Sequence, residues 1–121
     1  MFARDEFEVL VGEALDELPP KLMKAISNVQ VVVQDLPGPE AGGAHLAPNA
    51  ILLGLYTGIP LTQRGTGYAG VLPDRITIYQ DNIERVAGSP DAIRAQVRQT
   101  VIHEFAHHFG ISDERLSELG W

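Results

Sequence analysis

The stretch HEFAHHFGISD, His103 to Asp113, decides how the rest of the chain is read. His103 and His107 stand four residues apart, a spacing that turns through about 400° on an α-helix and so sends both imidazoles from one face. Glu104 lies on the edge of that face, about 100° round from His103. Gly110 is placed to end the helix in a left-handed turn, and Asp113 follows three residues later. Two imidazoles and a returning carboxylate can fill three corners of a tetrahedron around a zinc ion, Zn2+, leaving the fourth for water. His103, His107 and Asp113 are therefore the candidate ligands, with Glu114 and Glu118 the nearest substitutes for Asp113. Glu104, beside the first ligand, can reach the water without binding the metal, and is the candidate general base and acid. His108 projects about 140° from His103 and is expected as a supporting or core histidine.

Outward from this stretch, the preceding helix has a well-marked start. Ser89-Pro90-Asp91 supplies an N-cap, a proline at the first helical position and an acid in the first turn. The spacing predicts a helix from Pro90 to Phe109. Val101, Ile102, Phe105, Ala106 and Phe109 fall on several sides of its second half, so that half is expected to pass through the middle of the domain. Ser112 is expected to cap a last short helix docked by Leu116 and Leu119, with Trp121 closing the core and Asp113 in the first turn.

Upstream, Phe7, Leu10, Val11, Ala14, Leu15 and Leu18 recur with helical period and predict an N-terminal amphipathic helix ended by Pro19 and Pro20. Lys21–Ile26 is expected to add a short helical turn. Val29–Val33 reads as a strand, and Ile51–Tyr56 as a second strand apolar enough to be central. Arg75–Gln80 alternates and predicts a strand with one buried face. Asp81–Ala87 reads as a short helix ending at Gly88. Residues 36–49, with three prolines and three glycines, read as a loop in which His45 is a solvated histidine. Between the second and third strands, Pro60 and several glycines predict an edge strand or bulged ribbon. Such a ribbon, Leu61 to Val71, is a candidate for pairing with an extended peptide, with Leu61, Gly65, Gly67 and Tyr68 as its contact residues. Tyr56, Tyr68 and Tyr79 are read as packing residues rather than oxyanion donors.

The composition bounds these readings. A chain of 121 residues, 45% hydrophobic and 21% charged, fits one domain with one core, residues 1–121. With no cysteine, any metal must be held by His, Asp or Glu. A formal net charge of −7 argues against nucleic acid as partner. No apolar run approaches the roughly twenty residues needed to span a bilayer. The acidic N-terminus does not read as a signal peptide, so a cytoplasmic location is expected. Nothing in the sequence indicates an oligomeric state.

At His103, Glu104, His107, Gly110 and Asp113 the sequence resembles the zincin signature HExxHxxGxxD. Leu52 to Gly65 (LLGLYTGIPLTQRG) is similar to the ribbon preceding the active helix in a small bacterial family of minimal zincin-like metallopeptidases. The resemblance spans most of the chain. It implies an α+β fold with a minimal zincin-like core, a small mixed sheet packed on a central active-site helix and an N-terminal helix. It implies one zinc ion held by His103, His107 and Asp113, hydrolysis of peptide bonds with Glu104 as catalytic base, and an extended peptide as partner. Metzincins differ in usually having His at the third-ligand position and in carrying a Met-turn. Here the methionines are Met1 and Met23, both upstream, and only eight residues follow Asp113 to form a far wall of a cleft. Two further readings stand beside the peptidase. One is a zinc hydrolase of another class, ribonuclease-like, which the net charge disfavours. The other is a non-catalytic module stapled by zinc, which would need a fourth protein ligand.

Overall fold

The three-dimensional structure is a computed structural model that describes residues 1–38, 51–58 and 74–121. Among these residues five helices and three strands follow in the order α1 (Arg4–Asp16), α2 (Pro20–Ala25), β1 (Gln30–Gln34), β2 (Gly54–Thr57), β3 (Arg75–Tyr79), α3 (Gln80–Val86), α4 (Pro90–His108) and α5 (Asp113–Leu119). The result is the small α+β architecture that the sequence predicts, with a mixed sheet packed against the long α4 and the N-terminal helix packed along α4. No helix among the described residues is long and apolar enough to cross a membrane.

α1 forms because its apolar residues share one stripe, and Phe7, Leu10, Val11 and Ala14 are buried along it. Regular helix ends at Asp16. The chain then tightens through bonds from Glu17 N–H to Ala14 and from Leu18 N–H to Leu15, which keep Leu18 in the core. Pro19 and Pro20 start α2, where proline's missing N–H costs nothing at the first helical position.

The sheet order is β1-β3-β2. β3 pairs parallel with β1, from Gln30 opposite Arg75 to Gln34 opposite Tyr79. It pairs antiparallel with β2, from Gly54 opposite Ile78 to Thr57 opposite Arg75. Two strand expectations are corrected here. The central strand is β3, not the apolar segment at 51–56, and β2 is confined to Gly54–Thr57 and lies beside it. Nor does β3 bury one face only: Ile76, Thr77, Ile78 and Tyr79 are all inaccessible to solvent or nearly so. Alternation scores Thr77 and Tyr79 as polar, but a threonine methyl and a tyrosine ring can be buried once their hydroxyls are satisfied. No buried side-chain nitrogen or oxygen among the described residues lacks a hydrogen-bond partner.

α4 starts as the sequence predicts, with the Ser89 side chain accepting a bond from Ala92 N–H at 3.2 Å and Pro90 in the first turn. It packs along α1, burying Ile93, Val97, Val101, Ile102, Phe105 and Ala106. Arg94 pairs with Glu13 at 3.2 Å and Arg98 with Glu17 at 2.6 Å on the outer seam. Those pairs are solvated and contribute little beside the apolar contact. The helix closes in a Schellman turn. Gly110 takes φ +69, Ile111 N–H bonds to Ala106 and Gly110 N–H to His107. Ser112 then caps α5, which docks through buried Leu116 and partly buried Trp121.

Phe7 is fully buried in the core that α1 shares with α4. Replacing it with alanine should cost about 3–5 kcal/mol by lost transfer energy and residual cavity. Urea unfolding of Phe7→Ala against wild type measures this, and a loss below about 1 kcal/mol would contradict the packing described.

Candidate metal centre

The C-terminal half of α4 carries the site. His103 and His107 rise from one face, with ring centroids 6.3 Å apart and planes tilted by 52°. His103 and Glu104 are half-buried, and His107 is exposed. Among the described residues neither imidazole spends a nitrogen on a hydrogen bond, so both rings keep their lone pairs available. Two neighbouring, unengaged imidazoles on a rigid helix are a donor set suited to zinc.

The carboxylate of Glu104 is held from across the fold. Its Oε1 accepts the main-chain N–H of Tyr56 at 3.0 Å. The register explains why that donor is free to meet it. Tyr79 N–H bonds to the Leu53 carbonyl, so residues 53, 55 and 57 turn their main-chain groups toward β3. Gly54 and Tyr56 turn theirs to the other edge, where α4 passes. Gly54 allows the approach. A Cβ built there would lie 2.6 Å from Thr100 Cγ2 and 3.0 Å from the Thr77 carbonyl oxygen. The strand therefore meets the helix backbone-first, as a glycine permits and a larger residue does not.

Tyr56 joins three parts of the site region. Its hydroxyl donates to Asp74 Oδ2 at 2.7 Å, and its ring stacks on His108 at 3.9 Å with planes 19° apart. Phe109 meets the Tyr56 ring edge-on at 6.0 Å. These contacts correct two expectations. His108 is exposed and stacked on an aromatic ring, not a core histidine. Phe109 is 56% exposed, so the helix does not remain buried to its end. Beyond Ala106 the helix has passed the core, and its last residues cover the edge of β2. The sequence raises Tyr56 only as a packing residue or oxyanion donor and does not single out Asp74, because their contacts depend on a main-chain direction and on a partner eighteen residues away.

Asp113 begins α5 at an exposed position. No group of three or more His, Asp or Glu side chains arranged to hold a metal occurs among the described residues. Glu114 and Glu118 are also exposed, and Glu118 pairs with Arg115 at 2.9 Å. The structure sets His103 and His107 on one face of α4, with Glu104 next to His103 and tied to Tyr56 N–H. Leu61, Gly65, Gly67 and Tyr68, expected to contact an extended peptide, lie outside the described residues, as does His45.

A helix with paired imidazoles and an adjacent carboxylate is thus set against a strand of a small mixed sheet. The sequence model of the zincin-like metallopeptidase family matches residues 26–121, and the chain belongs to that family. Its fold is similar to that of a solved structure described as a conserved hypothetical protein from Thermo thermophilus. The TM-score is 0.57 at 25% identity, over 89% of this chain and 94% of the other. Comparison of the sequence with curated proteins finds no match.

The close approach at Gly54 gives a direct expectation. Gly54→Ala should destabilise the fold by about 1–3 kcal/mol through overpacking against Thr100. It should also speed exchange of the Tyr56 amide proton, while the inward-facing Leu55 amide keeps its protection. Urea unfolding and amide exchange by NMR test both parts, and unchanged exchange at Tyr56 would show that the strand does not depend on this contact.

Proposed function

We propose that the protein is a zinc-dependent peptidase that cleaves extended peptides. The observation that carries this reading is the face of α4 on which His103 and His107 lie together with the Glu104 carboxylate beside them. Membership of the zincin-like metallopeptidase family supports it. His103 and His107 would hold one zinc ion, with Asp113 as the third ligand. A zinc ion bound there supplies a water of pKa near 7 and an electrophile for the substrate carbonyl.

The chain's own residues do the rest. Glu104 takes the proton from the attacking water and delivers it to the departing amine. It suits this role because its carboxylate is already oriented by Tyr56 N–H, which holds it beside the histidines without requiring it as a ligand. The rigid helix fixes both imidazoles with little entropy left to lose, the condition for a preorganised centre. The segment Leu61–Val71, with Gly65, Gly67 and Tyr68, supplies main-chain pairing to an extended substrate in this reading.

Metal analysis and peptide hydrolysis on wild type and two variants test the assignment. Glu104→Ala should keep zinc and lose hydrolysis by roughly 10²–10⁴-fold, the usual contribution of a positioned acid–base group. His107→Ala should lose the metal itself. An active Glu104→Ala protein would overturn the mechanism.

Metal affinity should also depend on acid. Imidazole binds zinc only when neutral, and an ordinary histidine gains its proton near pH 6.5, so retention should fall below about pH 6. Competition with a chelator from about pH 4 to about pH 8 measures this. Asp113→Ala in the same assay should weaken binding throughout, whereas an effect of Glu114→Ala in its place would move the third ligand by one residue.

A further inference from the structure

Beside the histidine pair, a recess of about 310 Å³ runs toward the N-terminus of α4. One wall is the run-in to β2, Leu52 to Gly54. The other is a single helical face bearing Gln96, Gln99 and Thr100, at the same spacing that continues to His103 and Glu104. Gln96 to His103 spans about 10 Å along the helix, and the volume lies at the lower end for ligand pockets, so it suits one side chain rather than a length of peptide.

The recess is pre-formed. Asn82, itself buried, donates from Nδ2 to the Leu52 carbonyl at 2.8 Å. Tyr79 N–H holds the Leu53 carbonyl at 3.0 Å. Gly54 sits against Thr100. Three successive residues of one wall are thus fixed to three different partners. The opposing wall belongs to a long helix.

Its chemistry is selective. Among the described residues the lining includes no lysine or arginine, and its charged or metal-binding groups, His103 and Glu104, stand together at one end. In the metal-free protein an acidic side chain would lose water with no cation among the described lining residues to replace it, in a protein of net charge −7. A basic one would find Glu104 alone among the described lining residues, one of whose oxygens Tyr56 N–H already engages. Leu52 and Leu53 offer apolar surface for a stem. Gln96, whose Nε2 donates to Thr100 Oγ1 at 3.3 Å, and Gln99 offer amides that can both accept and donate. A head group that also both donates and accepts is matched by such a pair.

We infer that this recess is a specificity subsite for one uncharged substrate side chain ending in a carboxamide, glutamine above all. The inference rests on the peptidase reading for its purpose, but its test does not require turnover. The full-length protein, with and without zinc, is titrated with the N-acetyl amides of glutamine, norleucine, glutamate and lysine. Binding is followed through the backbone NMR signals of Leu53, Gly54 and Thr100. The glutamine probe should bind at least about tenfold more tightly than the glutamate and lysine probes, and more tightly than norleucine. Gln99→Lys, a change at an exposed position that leaves the fold intact, should reverse the order of glutamine and glutamate. Equal affinities for all four probes, glutamine matched by norleucine, or an order unchanged in Gln99→Lys would overturn the subsite. Glutamine binding in a protein that cleaves no peptide would keep the subsite and remove the peptidase reading. Cleavage with no preference for glutamine at any position, together with equal probe affinities, would do the reverse.

Discussion

Gly54 lies against Thr100 with no room for a side chain between them, and this contact sets how the sheet meets the long helix. With β2 so close, the outward N–H of Tyr56 reaches Glu104, and the Tyr56 ring lies flat on His108. A methyl group at position 54 would lie 2.6 Å from Thr100 Cγ2, so strand and helix would have to separate by more than a hydrogen bond tolerates. The orientation of the candidate catalytic carboxylate therefore depends on a missing Cβ two residues before Tyr56 in the same strand. The recess beside the site depends on the same contact, because Gly54 closes one of its walls.

α4 does two jobs along its length. Its N-terminal and middle turns bury Ile93, Val97, Val101 and Ile102 and hold the domain together with α1. Its last turns carry the histidines outward, so that His107, His108 and Phe109 are exposed. This separates the cost of building a site from the cost of folding. Polar side chains placed deep in an apolar core would need partners, whereas those at the helix's emerging end remain hydrated. The turn at Gly110 follows immediately and directs the chain into α5, on which the acidic candidates Asp113, Glu114 and Glu118 are carried.

The sequence was most legible where physics acts over a few residues. The N-cap at Ser89, the left-handed Gly110, the cap at Ser112 and the shared face of His103 and His107 all rest on helical geometry and cap chemistry, and all are found in the structure. It was least legible in the sheet. Ile51–Tyr56 looked central because it is apolar, but its apolar character serves packing against α4 at the sheet's side. Thr77 and Tyr79 looked solvent-facing because they carry hydroxyls, yet both are buried.

By itself, then, the sequence determined which side chains would share a helix face, where that helix would start and stop, and that two imidazoles would stand beside a carboxylate. Those outcomes follow from the period of about 3.6 residues and from caps that form within one turn. Only the tertiary structure decided that β3 would be central, that Tyr56 would hold Glu104 through its backbone, and that Gln96 and Gln99 would face Leu52 and Leu53 across a recess. These depend on main-chain groups, which every sequence carries alike. They are distinguished only when distant segments come together and fix which N–H is turned outward and which contact has no room for a side chain.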